Sequence, residues 1–533
     1  MSLGERNIKI AMVSCEPSII SFGFRGIVSV ARAIVPSTQV FFLPFDNFYS
    51  MLNIVHPPSR TNDSGKLDDR CYYYIADVLS KYDLVCFSLL SSTNFYTKHI
   101  VQRLREITNQ QVYVMGGGVH CILNPEDSIK YFDAICVGEG EICFEKFLKA
   151  FINGKEYVQT ENMWFNFKGK IVRNRRMELL KNDFLSTLRH RYIGMDCFVF
   201  DFFKRKFCRF SKYIYTKHFG LSYRTIWTLG CPYSCSYCEN DEFLHLDRNY
   251  AKIRYPSSQF IINEIKEAQK IHPYITNIAF YDDNLIAIDL ESLRIFSDQY
   301  KKEINLPFTV YGVHPNTIDE KKLELLADAG CNRVRMGIQS ANERVLTLFN
   351  RNTGINKIKD SVAIISRMTK KYKMIPPTYD IITDIPFETK QEIIESLKFI
   401  NDLDRPFFLA ISGLRIFPNT KLGQYFEKIQ LSKEALKYIN CSSFQLLRPT
   451  LSNCLWYVIS VFKVPKPVLK IFFKHIKDYN SSQKLYSLAI FFLRILYLAK
   501  HSFEHIKKMN FSIIGGKWTY FLWRFKVVRN KKN

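Results

Sequence analysis

Cys231-Pro232-Tyr233-Ser234-Cys235-Ser236-Tyr237-Cys238 decides how this chain is read. Three thiols stand at the spacing CxxxCxxC, directly after the apolar run RTIWTLG (224–230), which has the pattern of a strand. Thiolates on one loop suit soft metals and iron–sulfur clusters. Zinc wants a fourth ligand, and the closest histidine, His245, stands isolated. Three ligands on a four-iron cluster leave one iron open to a small molecule. Incidental loop cysteines are the plain alternative, and their clustering behind a strand speaks against it.

Outward from this loop, residues 224–420 alternate strand and helix patterns. NIAFYDD (277–283), FTVYGV (308–313), RVRMGIQS (333–340), TYDIITDIP (378–386) and PFFLAISGLRIF (406–417) read as five further strands. Six βα units predict a partial barrel with its site at the strand C-termini. Polar residues fall at those ends: Asp282 and Asp283, Gln339 and Ser340, Asp384. Asp283 equally suits capping of the following helix, and Gln339 suits closing a strand.

Upstream, residues 8–151 also alternate. IKIAMVS (8–14), QVFFLPF (39–45), DLVCFSLL (83–90), QVYVMGG (111–117) and AICVGEG (134–140) read as strands buried on both faces. They predict an open, doubly wound parallel sheet, whose ligands sit beyond the strand carboxyl ends. Ser88 to Thr93, Gly116 to Gly118, and Gly138, Glu139 and Gly140 fall there. Glycines at such ends let a backbone approach a ligand, or simply make tight turns.

These segments carry a resemblance. CxxxCxφC with φ aromatic is the motif of the radical S-adenosylmethionine (SAM) superfamily, and Tyr237 fits φ. Phe280-Tyr-Asp-Asp-Asn-Leu285 is similar to the F-x-D-D-x-F segment of its cobalamin-binding branch. Val334-Arg-Met-Gly-Ile-Gln-Ser340 resembles the G-I-E-S strand, with Gln339 for Glu. Leu346 to Arg351 resembles the v-L-x-x-m-x-R stretch. Asp380-Ile-Ile-Thr-Asp-Ile-Pro-Phe-Glu-Thr389 is similar to G-x-P-G-E-T, with Asp384 and Phe387 replacing the two glycines. Phe417-Pro-Asn-Thr420 resembles the final P-G-T turn. In the first domain, Asp83 to Ser88, Val114 to His120 and Val137-Gly-Glu-Gly-Glu141 resemble the cobalamin-binding domain of the same branch.

The resemblance implies a [4Fe–4S] cluster on Cys231, Cys235 and Cys238. It implies SAM contacts from Tyr237, Asp283, Gln339, Ser340 and Asp384. Cobalamin contacts are implied for Ser88, Ser91, Gly116, Gly117, Gly118, Gly138, Glu139 and Gly140. The D-x-H-x-x-G motif is absent, since the corresponding stretch reads Ser21-Phe-Gly-Phe-Arg-Gly26. The implied cobalamin is therefore base-off with no His ligand, and His120 reads as a surface or supporting residue rather than a ligand. The implied reaction is methylation of an unactivated carbon, through a 5′-deoxyadenosyl radical and methylcobalamin, with an external electron donor. A cyclisation or rearrangement is the alternative use of the same cofactors. A non-catalytic membrane-surface or binding protein on a decayed scaffold is the alternative of another class.

The expected organisation is thus α/β. A doubly wound (Rossmann-like) domain spans 1–151, a connecting segment 152–222, a partial (β/α)6 TIM-like barrel 223–425, and a basic, mainly helical segment 426–533. The chain has 533 residues and a net charge of +25. From residue 451 onward, 16 Lys and Arg stand against two acidic residues. Leu485–Ala499 is intensely apolar but too short to span a bilayer. It and the aromatic–basic tail around Trp518, Trp523, Arg524 and Lys526 suit a helical cover on the barrel or an anionic lipid surface. A nucleic-acid role lacks any RNA-binding signature. The greasy segment hints at an organic, lipid-like substrate. Fourteen cysteines without a disulfide pattern, and an N-terminus without signal-peptide features, fit a reducing cytoplasm, with the inner membrane face as the peripheral alternative.

Overall fold

The computed structural model describes residues 8–45, 67–202, 204–417, 419–429, 447–477 and 484–510. The chain folds as two compact units, the first formed mainly by residues up to Ile214 and the second mainly by those from Tyr215 onward.

The first unit holds a nine-stranded sheet. Its strands are β1 (Ile10–Ser14), β2 (Gln39–Phe42), β3 (Leu84–Ser88), β4 (Tyr113–Gly117), β5 (Ala134–Cys136), β6 (Met163–Phe167), β7 (Lys170–Arg173), β8 (Cys197–Asp201) and β9 (Lys206–Arg209). The order is β7-β6-β5-β4-β3-β1-β2-β8-β9. The central pairs from β5 to β8 are parallel, and β6, β7 and β9 join antiparallel. The chain leaves β1 toward β2 on one side and returns to β3 on the other. That reversal opens a crevice at the carboxyl ends of β1 and β3. The central strands are apolar because helices cover both faces, as in Leu84–Ser88, where every residue is buried.

Residues 152–222, expected as a connecting segment, instead supply β6 to β9. The two hairpins close both edges of the sheet, which removes exposed edge strands from its parallel centre. Their half-exposed, basic and aromatic residues mask the alternation that marks a strand.

The second unit holds six parallel strands in sequence order. They are β10 (Ser222–Thr225), β11 (Asn277–Phe280), β12 (Phe308–Val313), β13 (Cys331–Gln339), β14 (Thr378–Thr383) and β15 (Phe408–Gly413). Helices Ser258–Ile271, Leu290–Glu303, Glu320–Asp328, Ile355–Lys371 and Lys390–Asp402 connect them. Ser257, Asp289, Asp319 and Thr389 cap four of these helices through their side chains. This is the expected partial (β/α)6 barrel. The first strand ends at Thr225, short of the expected 230. Beyond it the Trp227 and Thr228 amides donate to Asp282 Oδ1, at 3.0 and 2.5 Å, and so leave the ladder. The C-terminal segment is helical where described: Leu451–Val461, Lys466–Phe473 and Lys484–Lys507. The expected aromatic–basic tail (Lys517, Trp518, Tyr520, Phe521, Trp523, Arg524, Phe525, Lys526) lies outside the described residues, as does Pro418.

Candidate active site

The cysteine loop begins where only glycine fits. Gly230 has φ +98°, and a Cβ there would stand 2.6 Å from the carbonyl oxygens of Tyr250 and Lys252. The Cys238 amide donates to the Cys235 carbonyl (2.9 Å), which turns the loop between the last two cysteines.

A second segment holds the loop from below. Asn350 Nδ2 donates to Ser234 O (2.7 Å) and Ser234 Oγ (2.9 Å). The Ser236 amide donates to Phe349 O (2.9 Å), and Ser236 Oγ donates to Leu348 O (2.8 Å). Arg351 Nη1 reaches Cys235 Sγ at 3.7 Å and Tyr237 OH at 3.2 Å, and its Nη2 donates to Gly337 O. The Tyr233 ring stacks on His314, which follows β12, with centroids 3.7 Å apart. Sequence reasoning missed Asn350 and His314 as supports, and nothing local marks either one.

Burial pushes the Cys231 thiol up to about 12, with Asp283 adding to the effect. Burial and then Asp283 also drive Cys238 well above the usual thiol range. Asp283 thus acts electrostatically on both thiols. Its own carboxyl is raised by burial and steadied by Asn240. Such thiols ionise readily only against a metal, which supplies the missing positive charge. Three soft donors with a buried guanidinium behind one of them fit an iron–sulfur cluster.

Gln339 joins this group. It sits at φ +70°, and the β13–β14 register shifts between Gly337 and Gln339. Its Nε2 lies 2.5 Å from where a Gly337 Cβ would stand, so the side chain folds back over Gly337 beside Arg351. Backbone strain of this kind gathers at functional sites. The neighbouring Asp282 is buried and spent on the Trp227 and Thr228 amides.

Two of the expected SAM contacts also carry hydrogen bonds of the fold. Ser340 Oγ accepts from the Asn342 amide (3.2 Å) and shapes the turn after β13. Asp384 accepts from the Arg448 amide and from Asn453 Nδ2, both at 2.9 Å, so both carboxylate oxygens fasten the C-terminal segment. Phe387 fills an apolar cluster with Val345, Phe349, Leu422 and Phe426, against which Tyr237 also packs.

In the first unit the crevice between β1 and β3 carries a group that sequence reasoning missed. Ser88 Oγ donates to Glu16 Oε1 (2.8 Å), and burial raises the Glu16 carboxyl above its usual range. Ser91 Oγ lies 3.2 Å from His120 Nδ1, while His120 Nε2 is 3.7 Å from the Asp127 carboxylate. His120 is thus buried and held through Nδ1, in a supporting role. The glycines divide. A Cβ would strike Phe132 at Gly116, Leu89 at Gly118, Asn162 at Gly138 and Ile27 at Gly140. These four are glycine because the chain itself crowds them. Gly117 alone among these five has nothing nearer than 3.9 Å. Glu139 accepts from the Leu180 amide (2.8 Å). Small residues around an open strand end suit a large planar cofactor at the crevice.

Comparison with known proteins agrees with this geometry. Residues 225–400 match the radical SAM superfamily. The uncharacterized methyltransferase of Pyrococcus horikoshii is 24% identical over 77% of this chain and 86% of its own length. The bacteriochlorophyllide d C-8(2)-methyltransferase of Chlorobaculum tepidum is 24% identical over 76% of this chain and 82% of its own. Among solved structures, the radical SAM methyltransferase TsrM of Kitasatospora setae, with cobalamin and a [4Fe–4S] cluster bound, superposes with TM-score 0.58. It shares 15% identity, over 80% of this chain and 76% of that one. The cobalamin-dependent enzyme OxsB, with aqua-cobalamin and SAM bound, gives TM-score 0.57 and 12% identity, over 97% and 84%. Residues 225–400 of the second unit therefore form a radical SAM domain, in a chain with the fold of the cobalamin-dependent radical SAM enzymes.

Proposed function

We propose that this chain is a cobalamin-dependent radical SAM enzyme that methylates an unactivated carbon of an organic, lipid-like substrate. One observation carries the reading: Cys231, Cys235, Cys238, Tyr237, Asp283 and Gln339 converge at one end of a parallel barrel. When bound, the [4Fe–4S] cluster supplies the electron that splits SAM, and cobalamin supplies methyl transfer.

The chain's own residues hold and orient these groups. Three thiols ligate the cluster, with Arg351 behind Cys235. Asp283, Gln339 and Tyr237 orient SAM, while Ser340 and Asp384 steady the walls from outside. Ser88, Ser91 and the Gly116–Gly118 and Gly138–Gly140 turns seat cobalamin in its base-off form, without a His ligand. Glu16 offers its carboxyl, bonded to Ser88, to the same crevice. An external donor provides electrons. The enzyme works at the inner face of a membrane as a peripheral protein. Supporting this, no helix among the described residues is long and apolar enough to cross a membrane, and the C-terminal segment is strongly basic.

Anaerobic reconstitution with iron, sulfide and cobalamin, followed by reduction with SAM, tests the chemistry. 5′-Deoxyadenosine together with S-adenosylhomocysteine is the expected product pair. 5′-Deoxyadenosine alone favours cyclisation or rearrangement. Neither product from cluster-loaded protein, across a panel of membrane-lipid extracts offered as substrate, overturns the enzymatic reading.

A further inference from the structure

The helix Lys484–Lys507 is built inside out. Beside Ile490 and Tyr497, its inward face carries charged and polar side chains. Arg494, His501 and His505 are 3%, 3% and 2% exposed. Arg494 Nε donates to Tyr457 OH (2.6 Å). Arg333, from the barrel strand β13, reaches His501 Nε2 at 3.0 Å and His505 Nε2 at 3.3 Å. These bonds fix the rotation of the helix. Its outward face is apolar instead: Leu485, Leu488, Phe492, Ile495, Leu496, Phe503 and Ile506 fall at helical spacings of three, four and seven. Leu485, Phe492 and Phe503 are 73%, 59% and 62% exposed. A water-facing helix has the opposite arrangement. Nearby in sequence, Phe462, Val468, Ile471 and Phe472 are also exposed, interleaved with the exposed Lys463, Lys466, Lys470, Lys474 and Lys477. An apolar surface of this extent on a folded chain marks a docking face.

Charge identifies the occupant. A second copy of this chain would bring its own lysines against these. Residues 511–533 add six more cations and no carboxylate side chain, so they raise the charge without neutralising it. A bilayer with anionic lipids satisfies both features at once, with hydrocarbon for the stripe and phosphate for the lysines.

We propose that the outward face of Lys484–Lys507, with the exposed side of Lys466–Phe473, lies in the headgroup–acyl boundary of an anionic membrane. This rests on the membrane placement proposed above and names the surface that achieves it. Leu488, Phe492 and Phe503 enter the acyl layer, and Lys470, Lys474 and Lys477 meet the lipid phosphates. Each exposed apolar side chain then leaves water without disturbing the polar bonds beneath it.

Flotation of the full chain with vesicles of phosphatidylcholine alone, or mixed with phosphatidylglycerol, tests the proposal. The wild-type chain floats with the anionic vesicles, less so at high salt. The triple variant L488E/F492E/F503E loses at least about tenfold in binding. No flotation of the wild type overturns the membrane placement itself. Equal flotation of wild type and triple variant overturns this face while leaving another membrane contact in place. A vesicle-independent dimer that the triple variant dissociates overturns it in favour of a second copy. Should the triple variant fail to fold, Phe492→Trp gives an independent reading. Brominated acyl chains should quench its added fluorescence, and unquenched emission overturns the proposal.

Discussion

Arg351 reaches the sulfur of Cys235 across 116 residues of sequence, with Nη1 and Sγ 3.7 Å apart. The same guanidinium touches Tyr237 OH and the Gly337 carbonyl, so one side chain ties the cysteine loop to β13. The planar fork makes these contacts at once, which an ammonium cannot do. Arg351→Lys keeps the charge and loses the fork. Its reconstituted protein should yield iron to a chelator roughly tenfold faster than the wild type. Arg351→Ala also removes a cation beside the cluster, so its reduction potential should fall. Chelator kinetics and a redox titration separate the two variants. An unchanged potential in Arg351→Ala would remove the electrostatic role.

Glu388 predicts a pH dependence. Burial, then the neighbouring Glu392 and Asp384 carboxylates, raise its carboxyl to about 8. The unfolded chain releases this proton in the ordinary carboxylate range, while the folded chain keeps it until about pH 8. The unfolded state thus binds fewer protons across that window, and stability falls as pH rises through it. Glu388→Gln is neutral at every pH and should flatten the decline. Thermal unfolding of both proteins between about pH 5 and 8 measures it. Parallel curves for the two would assign the proton elsewhere.

Asp384 occupies a position where the resembling motif has glycine, and it adopts φ +59°, a backbone that favours glycine. The chain keeps a carboxylate there because Arg448 and Asn453 use both of its oxygens. Asp384→Gly should relieve the backbone yet leave the Arg448 amide without its acceptor and remove one of the two bonds that Asn453 Nδ2 donates. The net loss expected is about 1–3 kcal/mol. Limited proteolysis should then cut earliest in the segment after residue 447. A variant as resistant as the wild type would deny Asp384 this fastening role.

The two parallel sheets were legible because strands buried on both faces read as unbroken apolar runs, as residues 84–87 and 278–280 do. The edge hairpins were not. In β6–β7 the turn uses Lys168 and Gly169, both with positive φ, in place of the more telling Asn-Gly pair, and β7 is largely exposed. The cluster cysteines were legible because their chemistry lies in their spacing. Asp282 and Asp283 look alike in sequence, and only the fold shows that the first accepts from Trp227 and Thr228 while the charge of the second acts on the thiols. Glu16, Asn350 and His314 act through contacts between distant segments. The apolar composition of Leu485–Ala499 was plain, but which face points outward depends on Arg494, His501 and His505 finding partners in the barrel unit.

Gly117 and Gly118 separate packing from ligand binding within one turn. Gly118 has φ +92°, and a Cβ there would stand 2.7 Å from Leu89 O and 2.9 Å from Leu89 N. Leu89 cannot retreat, because its amide donates to Gly117 O (3.0 Å) and its carbonyl accepts from the His120 amide (3.3 Å). Gly118→Ala should therefore cost about 2–4 kcal/mol from strain and overlap together. Gly117 has ordinary space around it, its nearest neighbours being Cys136 Cβ and Phe87 O at 3.9 Å. Gly117→Ala should leave stability within about 1 kcal/mol of the wild type. Its methyl group would project at the carboxyl end of β4, where the proposed cofactor lies against the backbone. Cobalamin retention after gel filtration should then fall in Gly117→Ala at an unchanged melting temperature. Full retention at an unchanged melting temperature would move the cofactor away from β4, and a lowered melting temperature would make Gly117 a packing glycine like its neighbours.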